Sequence, residues 1–347
     1  MEEAALCFVV SGLQPRLGAR EIESLIDFPL ERLSERLYLA RVPWAQVRKC
    51  LRKLYDCVLL QEVISVKGLR ARPESDPEFY RDLAARCYWS ELEGKTFAVS
   101  VRKLGGFPHS SSVSLAAKVA EGILEALKGR SKVNLSKPDV TVNLVTSGEV
   151  AVIGLNLLRA RGDRYRLRSK KFKVFRHPAS LTPEDAGVLV NLAGWRSPLL
   201  DPFCGSGTIV IEACLREVEA VGLEIEENVA RGAYRNLRHF SCDARGHIVV
   251  GDATMLPFRA RAFNAIATNP PYGRTLATDK PAGALVKSFL HNCAYTLSSG
   301  SRVALVRPAG FDAMDHRQYV TEEYPVRVHG SLIRLFTLSA LREVERK

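Results

Sequence analysis

Asn269, Pro270, Pro271, Tyr272 and Gly273 follow an apolar run at residues 265–267, which predicts a stiff loop at the carboxyl end of a strand. Each proline fixes φ and removes a backbone donor, so this loop presents carbonyl oxygens with few N–H groups beside them. Such a surface suits a partner rich in N–H groups, and the chemistry it points to is methylation of an exocyclic base amine. The N2 amine of guanine and the N6 amine of adenine are both weak nucleophiles, because the nitrogen lone pair is delocalised into the ring. Asn269 Oδ1 and the Pro270 carbonyl can each accept one amine hydrogen and favour a tetrahedral nitrogen. Pro271 keeps the turn rigid and Tyr272 can stack on the base. Rate enhancement then comes from orientation and matched electrostatics, with no covalent intermediate. A paired base must first be extruded, at a cost of a few kcal/mol.

A second constellation supplies the methyl donor. Asp201, Pro202, Phe203, Cys204, Gly205, Ser206, Gly207 and Thr208 follow the apolar Leu199 and Leu200 and lead into a helical pattern, giving a strand, a glycine turn and a helix in one short stretch. The glycines allow close backbone approach to a cofactor, and Asp201 at the strand end can hold an ammonium group. Glu224 ends the next apolar run, where a carboxylate can accept hydrogen bonds from both ribose hydroxyls. Ile225 can cover one adenine face. Asp252, after Gly251, can accept from the adenine amino group, and Ala253 leaves room for the ring. One glycine loop is a weak signal; acids recurring at successive strand ends make S-adenosylmethionine the expected cofactor. Cys204 raises a thiolate mechanism of the pyrimidine C5 type, rejected because such a nucleophile has no need of the Asn-Pro-Pro-Tyr carbonyls. Packing beside the cofactor is its expected role. His177, ahead of Pro178, could donate to a phosphate or to the cofactor carboxylate.

The charge distribution suggests the substrate. The net charge is +12, which suits a polyanionic partner. Residues 159–176 hold nine cations against one acid, Asp163, for a net +8. Arg166, Arg168, Lys170, Lys171 and Lys173 belong to this run, read as a phosphate-contacting hinge between differently patterned halves. The eight cysteines form no CxxC pair, which argues against a zinc site or disulfide framework, and no metal is expected. No apolar run approaches the roughly 20 residues that span a bilayer. A cytoplasmic protein without membrane contact is expected.

The elements needed to position these groups follow from periodicity. Strands are predicted at residues 6–10 and 37–42 and helices at 17–26 and 44–54. After a polar stretch at 68–77 come a helix at 78–90, a strand at 96–101, a loop at 102–112, a helix at 114–127 and strands at 140–145 and 149–155. From His177 onward, Thr182, Pro183 and Glu184 read as an N-cap with an acidic first turn, launching a helix to residue 193. Strands at 199–200, 220–223, 248–250, 265–267 and 302–306 then alternate with helices at 208–215, 227–239 and 282–297. This α/β alternation calls for a doubly wound, parallel Rossmann-type sheet with ligands at the carboxyl ends of its strands.

These residues resemble the THUMP-domain RNA guanine-N2 methyltransferases over nearly the whole chain. Val10 to Leu13 with Ala19 to Ile22 are similar to that family's opening strand and helix. Residues 97–101, Arg102, the loop at 105–112, and Val133, Asn134, Leu135, Pro138, Asp139 and Val140 resemble a THUMP module. His177, Pro178, Ala179, Ser180 and Leu181, then residues 201–208, Glu224, Asp252 and residues 269–272, resemble its Rossmann-fold methylase half. The resemblance implies an N-terminal ferredoxin-like domain (1–65), a THUMP domain (66–158), a basic linker (159–176) and a methyltransferase domain (177–347). It adds His177, Ala179, Ser180 and Leu181 to the cofactor site, and Arg102, Lys103, Ser110 and Ser111 to the RNA contacts. It implies a monomer whose THUMP module grips the 3′ CCA end of tRNA while an acceptor-stem nucleotide reaches the active site. Asn269, where the position-10 enzymes usually have Asp, favours the archaeal type that forms N2-methylguanosine at position 6. Guanosine 10 and a ribosomal guanine are alternatives. A DNA adenine-N6 methylase and a noncatalytic RNA-binding protein are the rivals from other classes.

Overall fold

The computed structural model describes residues 2–105, 110–160, 165–178, 180–271, 282–308, 319–329 and 332–341. The chain divides into two compact units, one made of Met1–Ala19, Ile26–Tyr55 and Leu59–Arg161, the other of Arg20–Leu25, Asp56–Val58 and Gly162–Lys347.

The first unit is built on β1 (Glu3–Val10), α1 (Pro15–Ile26), which contributes to both units, β2 (Glu31–Arg32), β3 (Leu37–Pro43), α2 (Trp44–Leu54), β4 (Leu60–Ala71), α3 (Pro77–Ala85), β5 (Thr96–Lys103), α4 (Ser112–Ala126), β6 (Lys132–Val133), β7 (Val140–Thr146) and β8 (Val150–Arg159). Its eight strands form one continuous sheet in the order β2-β3-β1-β4-β8-β7-β5-β6. The 12-residue β4 joins the two halves, antiparallel to β1 and to β8. The polar stretch at 68–77 therefore begins inside a strand. Alternation is broken there by Glu62, whose carboxylate is buried because Arg102 pairs with Oε1 at 2.5 Å and Asn143 Nδ2 donates to Oε2 at 2.7 Å. Over the β5–β8 half, Tyr80, Trp89, Phe97, Leu115, Val119, Ile123, Leu144 and Ile153 form one core cluster. The predicted helix at 78–90 stops at Ala85, and the Trp89 indole turns back to donate to the Ala84 carbonyl at 2.8 Å.

The second unit contains α5 (Pro183–Leu192), β9 (Leu199–Asp201), α6 (Thr208–Cys214), β10 (Ala220–Glu224), α7 (Glu227–His239), β11 (Gly246–Val250), β12 (Phe263–Thr268), α8 (Ala282–Thr296), β13 (Leu297–Pro308), β14 (Tyr319–His329) and β15 (Leu332–Leu341). Thr182 caps α5 as expected, its hydroxyl accepting from the Asp185 amide at 3.1 Å, with Pro183 in the first turn. The strand order is β11-β10-β9-β12-β13-β15-β14. Strands β9 to β13 pair in parallel, but β15 runs antiparallel to β13 and β14, so the sheet is mixed. The alternating sequence pattern accounts for the parallel portion and does not reach this final hairpin. Leu200, Leu223, Phe263, Ile266, Phe289, Leu290, Val303 and Leu305 pack together as the core of this unit.

Candidate active site

Strand β9 lies between β10 and β12, so the chain leaves β9 toward one side of the sheet and later returns on the other. In a parallel sheet this reversal opens a crevice at the carboxyl ends of the strands. Asp201 ends β9, Glu224 ends β10, Asp252 follows β11, Thr268 ends β12 and Asn269 follows it directly. Four sequence-predicted groups thus stand on four neighbouring strand tips.

Between Asp201 and α6 the backbone turns through two left-handed glycines, Gly205 at φ +50° and Gly207 at φ +78°, a region that penalises any Cβ. Beyond Gly205 the nearest atom a side chain would meet is His177 Nδ1, 4.0 Å away. Gly205 itself is half-buried and leaves open space where a side chain would stand, as close approach of a cofactor requires, whereas Gly207 is buried with Ala233 Cβ 3.4 Å from where its own Cβ would fall. The Gly205 amide donates to Glu224 Oε2 at 3.0 Å and the Glu226 amide to Oε1 at 3.1 Å. Each carboxylate oxygen keeps a further lone pair for a hydroxyl. The adjacent Ile225 is exposed. Asp252 Oδ1 accepts from both the amide and the hydroxyl of Thr254 at 2.8 Å, which fixes the carboxylate in a tight turn. Ala253 is buried in the core, and Phe203 meets Phe289 edge-on at 5.3 Å. Ser180 approaches from the segment before α5, its hydroxyl 2.6 Å from that of Ser206, and the adjacent Leu181 is buried. Ala179 and Tyr272 lie outside the described residues.

Asp201 is buried, and its donors among the described residues are the Thr268 hydroxyl at 2.8 Å and the Phe203 amide at 3.3 Å. Burial dominates over these hydrogen bonds and, with the Glu224 charge nearby, pushes the carboxyl up to about 7. A cation arriving at this strand tip would favour the ionised form. Thr268 is not among the residues the sequence reading singles out; a hydroxyl closing the apolar run 265–267 is the signal that marks it. Through Thr268, the acid of β9 is tied to the residue immediately before Asn269. Asn269 is half-buried, Pro270 buried and Pro271 half-buried. Cys204 is buried, and burial followed by the Asp201 and Glu224 charges pushes its thiol well up from the ordinary value, so it stays protonated. That agrees with a packing role.

The expected RNA-contact residues divide. Lys103, Ser111, Arg166 and Lys171 are exposed. Arg102 is committed to Glu62, and Ser110 is tied by its carbonyl to Lys103 Nζ at 3.3 Å. Ser111 also caps α4, accepting from the Ser114 amide at 3.1 Å. Arg168 pairs with the buried Glu212 at 2.8 Å and stacks over Tyr165. Lys173, expected at the surface, is instead 5% exposed and donates to Ser206 and Thr208 of the glycine loop. The side chain of Lys170 lies outside what is described. Among the described residues no group of three metal-binding side chains occurs, and no helix is long and apolar enough to cross a membrane.

Residues 78–156 match the THUMP domain, and residues 170–319 match a family described as an RMKL-like methyltransferase domain. The tRNA (guanine(10)-N2)-dimethyltransferase of Pyrococcus abyssi is 31% identical over 340 residues, covering 96% of this chain and 98% of its own. The tRNA (guanine(6)-N2)-methyltransferase of Methanocaldococcus jannaschii is 25% identical over 311 residues, with 74% and 81% coverage. The crystal structure of TrmN from Thermus thermophilus superposes with a TM-score of 0.55 at 25% identity, covering 97% of this chain and all of that one. With an end-to-end relative at this identity and both domain types present, the chain belongs to the THUMP-containing tRNA guanine-N2 methyltransferases.

Proposed function

We propose that the protein transfers a methyl group from S-adenosylmethionine to the N2 amine of a guanosine in tRNA. The observation that carries this reading is the placement of the glycine loop, Asp201, Glu224 and Asn269 on adjacent tips of β9, β10 and β12. The cofactor supplies a methyl group on a positively charged sulfur, electrophilic enough for a neutral amine. Asp201 receives the ammonium of its amino-acid portion. Glu224 accepts the ribose hydroxyls, Asp252 the adenine amino group, and Ile225 and Ala253 flank the ring. Phe203, Cys204, Gly205, Ser206, Gly207 and Thr208 shape the loop, with His177, Ala179, Ser180 and Leu181 closing it from the preceding segment. Asn269 Oδ1 and the Pro270 carbonyl accept hydrogen bonds from the two amine hydrogens and aim the nitrogen lone pair; the methylated nitrogen then loses one proton to solvent. Pro271 holds the turn and Tyr272 stacks on the base.

In the same reading, residues 1–65 form a ferredoxin-like domain, 66–158 the THUMP domain, 159–176 a linker and 177–347 the methyltransferase domain. The THUMP domain grips the 3′ CCA end. Lys103, Arg166 and Lys171, exposed and basic, are the leading phosphate contacts. The enzyme acts in the cytoplasm as a monomer.

For the nucleotide, Asn269 favours guanosine 6. A second reading, guanosine 10, draws support from the end-to-end similarity to the Pyrococcus abyssi enzyme. Two transcripts of one tRNA separate them, one lacking guanosine 6 and one lacking guanosine 10. Loss of methyl uptake from the first alone supports position 6, and loss from the second alone supports position 10. Uptake unaffected by either change rejects both.

A further inference from the structure

Among the described cations of the stretch 159–176, Lys173 is the one that is buried. It is 5% exposed, whereas Lys171, two residues earlier, is exposed. An ammonium group leaves water only where hydrogen-bonding partners replace its hydration. Here Nζ donates to Ser206 Oγ at 3.2 Å and to Thr208 Oγ1. Ser206 Oγ in turn lies 2.6 Å from Ser180 Oγ and 3.4 Å from Thr208 Oγ1. One lysine therefore sits at the end of a cluster of three hydroxyls, all from residues that flank the cofactor cradle.

The surrounding segment is pinned so that the lysine cannot easily swing out. Asn236 Nδ2 donates to the Phe175 carbonyl at 2.9 Å and to the Ser206 carbonyl at 3.0 Å, while Asn236 Oδ1 accepts from the Phe175 amide at 2.9 Å. The Phe175 ring lies where a Cβ at Gly232 would fall, 2.3 Å from its nearest atom. Any larger residue at 232 displaces the ring. Residues 173–175 are thereby fastened both to α7 and to the glycine loop.

We propose that Lys173 is a positioning residue for the cofactor and not an RNA contact. Acting through Ser206 and Thr208, it orders the glycine loop and brings positive charge to the side of the cradle where a carboxylate-bearing ligand would be held. The inference rests on the assignment of this cradle to S-adenosylmethionine and extends it to a cation that the charge run alone assigns to phosphate.

Calorimetric titration of the full-length protein with S-adenosylhomocysteine, alongside filter binding of tRNA at several salt concentrations, tests it. Lys173→Met should weaken S-adenosylhomocysteine binding roughly tenfold or more, the range for hydrogen bonds from a charged donor. Lys173→Arg, which restores the charge, should recover most of that loss. In both variants tRNA affinity and its salt slope should stay within about twofold of the parent, since every phosphate keeps its cation. Steady-state kinetics should show the effect of Lys173→Met in KM for the cofactor more than in kcat. Lys173→Gln, similar in length and still a donor, covers the case in which the methionine variant does not fold; a several-fold loss of S-adenosylhomocysteine affinity is expected. Parental affinity for S-adenosylhomocysteine in either neutral variant overturns the proposal, as does a fall in tRNA affinity with a reduced salt slope. A parent protein that binds tRNA but not S-adenosylhomocysteine would instead refute the cofactor assignment itself.

Discussion

Each unit of this molecule buries a carboxylate in a strand, and the two are treated in opposite ways. Glu62 in β4 meets a guanidinium at 2.5 Å and a side-chain amide at 2.7 Å. Asp201 at the tip of β9 is just as deeply buried, but a hydroxyl and a backbone amide are its donors among the described residues, and its carboxyl is pushed up to about 7. A carboxylate satisfied within the fold serves the fold, whereas one left short of positive charge at a strand end is, in the proposed reading, the partner for a cation brought by a ligand. In the first unit Glu62 helps to hold a long central strand, and in the second Asp201 stands where parallel strands end.

The largest effect that can break this contrast lies at the catalytic turn. Asn269→Ala should lower methyl transfer by a factor on the order of 10²–10³, the size seen when one positioned hydrogen-bonding partner of a transition state is removed. Its S-adenosylhomocysteine affinity should be unchanged by calorimetry, and near-parental turnover would remove Asn269 from the mechanism. Glu62→Ala should do the reverse. It leaves Arg102 and Asn143 without their buried partner and should destabilise the protein by about 3 kcal/mol in thermal or denaturant unfolding, while cofactor affinity in the folded fraction is retained.

Asp201 sharpens the comparison through pH. In the proposed role its ionised form receives the cofactor ammonium, and affinity for S-adenosylhomocysteine should then rise between pH 6 and pH 8, by at most about tenfold per pH unit below pH 7. Asp201→Asn should flatten that profile; a parent profile already flat across pH 7 would contradict the role. The sign for stability is opposite. A folded value raised above the unfolded one means that this group's contribution is fully present below about pH 4 and is lost as pH rises to about 7. Unfolding of the unliganded protein at pH 5 and pH 8 reads this directly, and Asp201→Asn should narrow the difference. The smallest effect belongs to the surface cations. Replacing Arg166 and Lys171 together by alanine should weaken tRNA binding a few-fold and reduce the salt slope by about one for each phosphate left without its cation.

The parallel half of the second unit is legible in the sequence because each short apolar run stops at a polar residue, so that Asp201, Glu224 and Asn269 mark their own strand ends. The Thr182 cap and Pro183 are equally plain, being local. What the sequence hides depends on partners distant along the chain. β4 escapes detection because Glu62, Lys67 and Arg70 interrupt its alternation, and Arg102, Asn143 and Arg159, all 40 or more residues away along the chain, make Glu62 tolerable there. The inward turn of Lys173 is set by hydroxyls 33 and 35 residues downstream, and composition cannot separate it from its exposed neighbours. The raised carboxyl of Asp201 likewise exists only once the strands on both sides have buried it.

Methylating unmodified tRNA with labelled S-adenosylmethionine, digesting it to nucleosides and identifying the labelled product by mass spectrometry tests the central claim most directly. The account predicts label in N2-methylguanosine or N2,N2-dimethylguanosine, abolished by Asn269→Ala. Label in N6-methyladenosine, or in a C5-methylated pyrimidine, would contradict it.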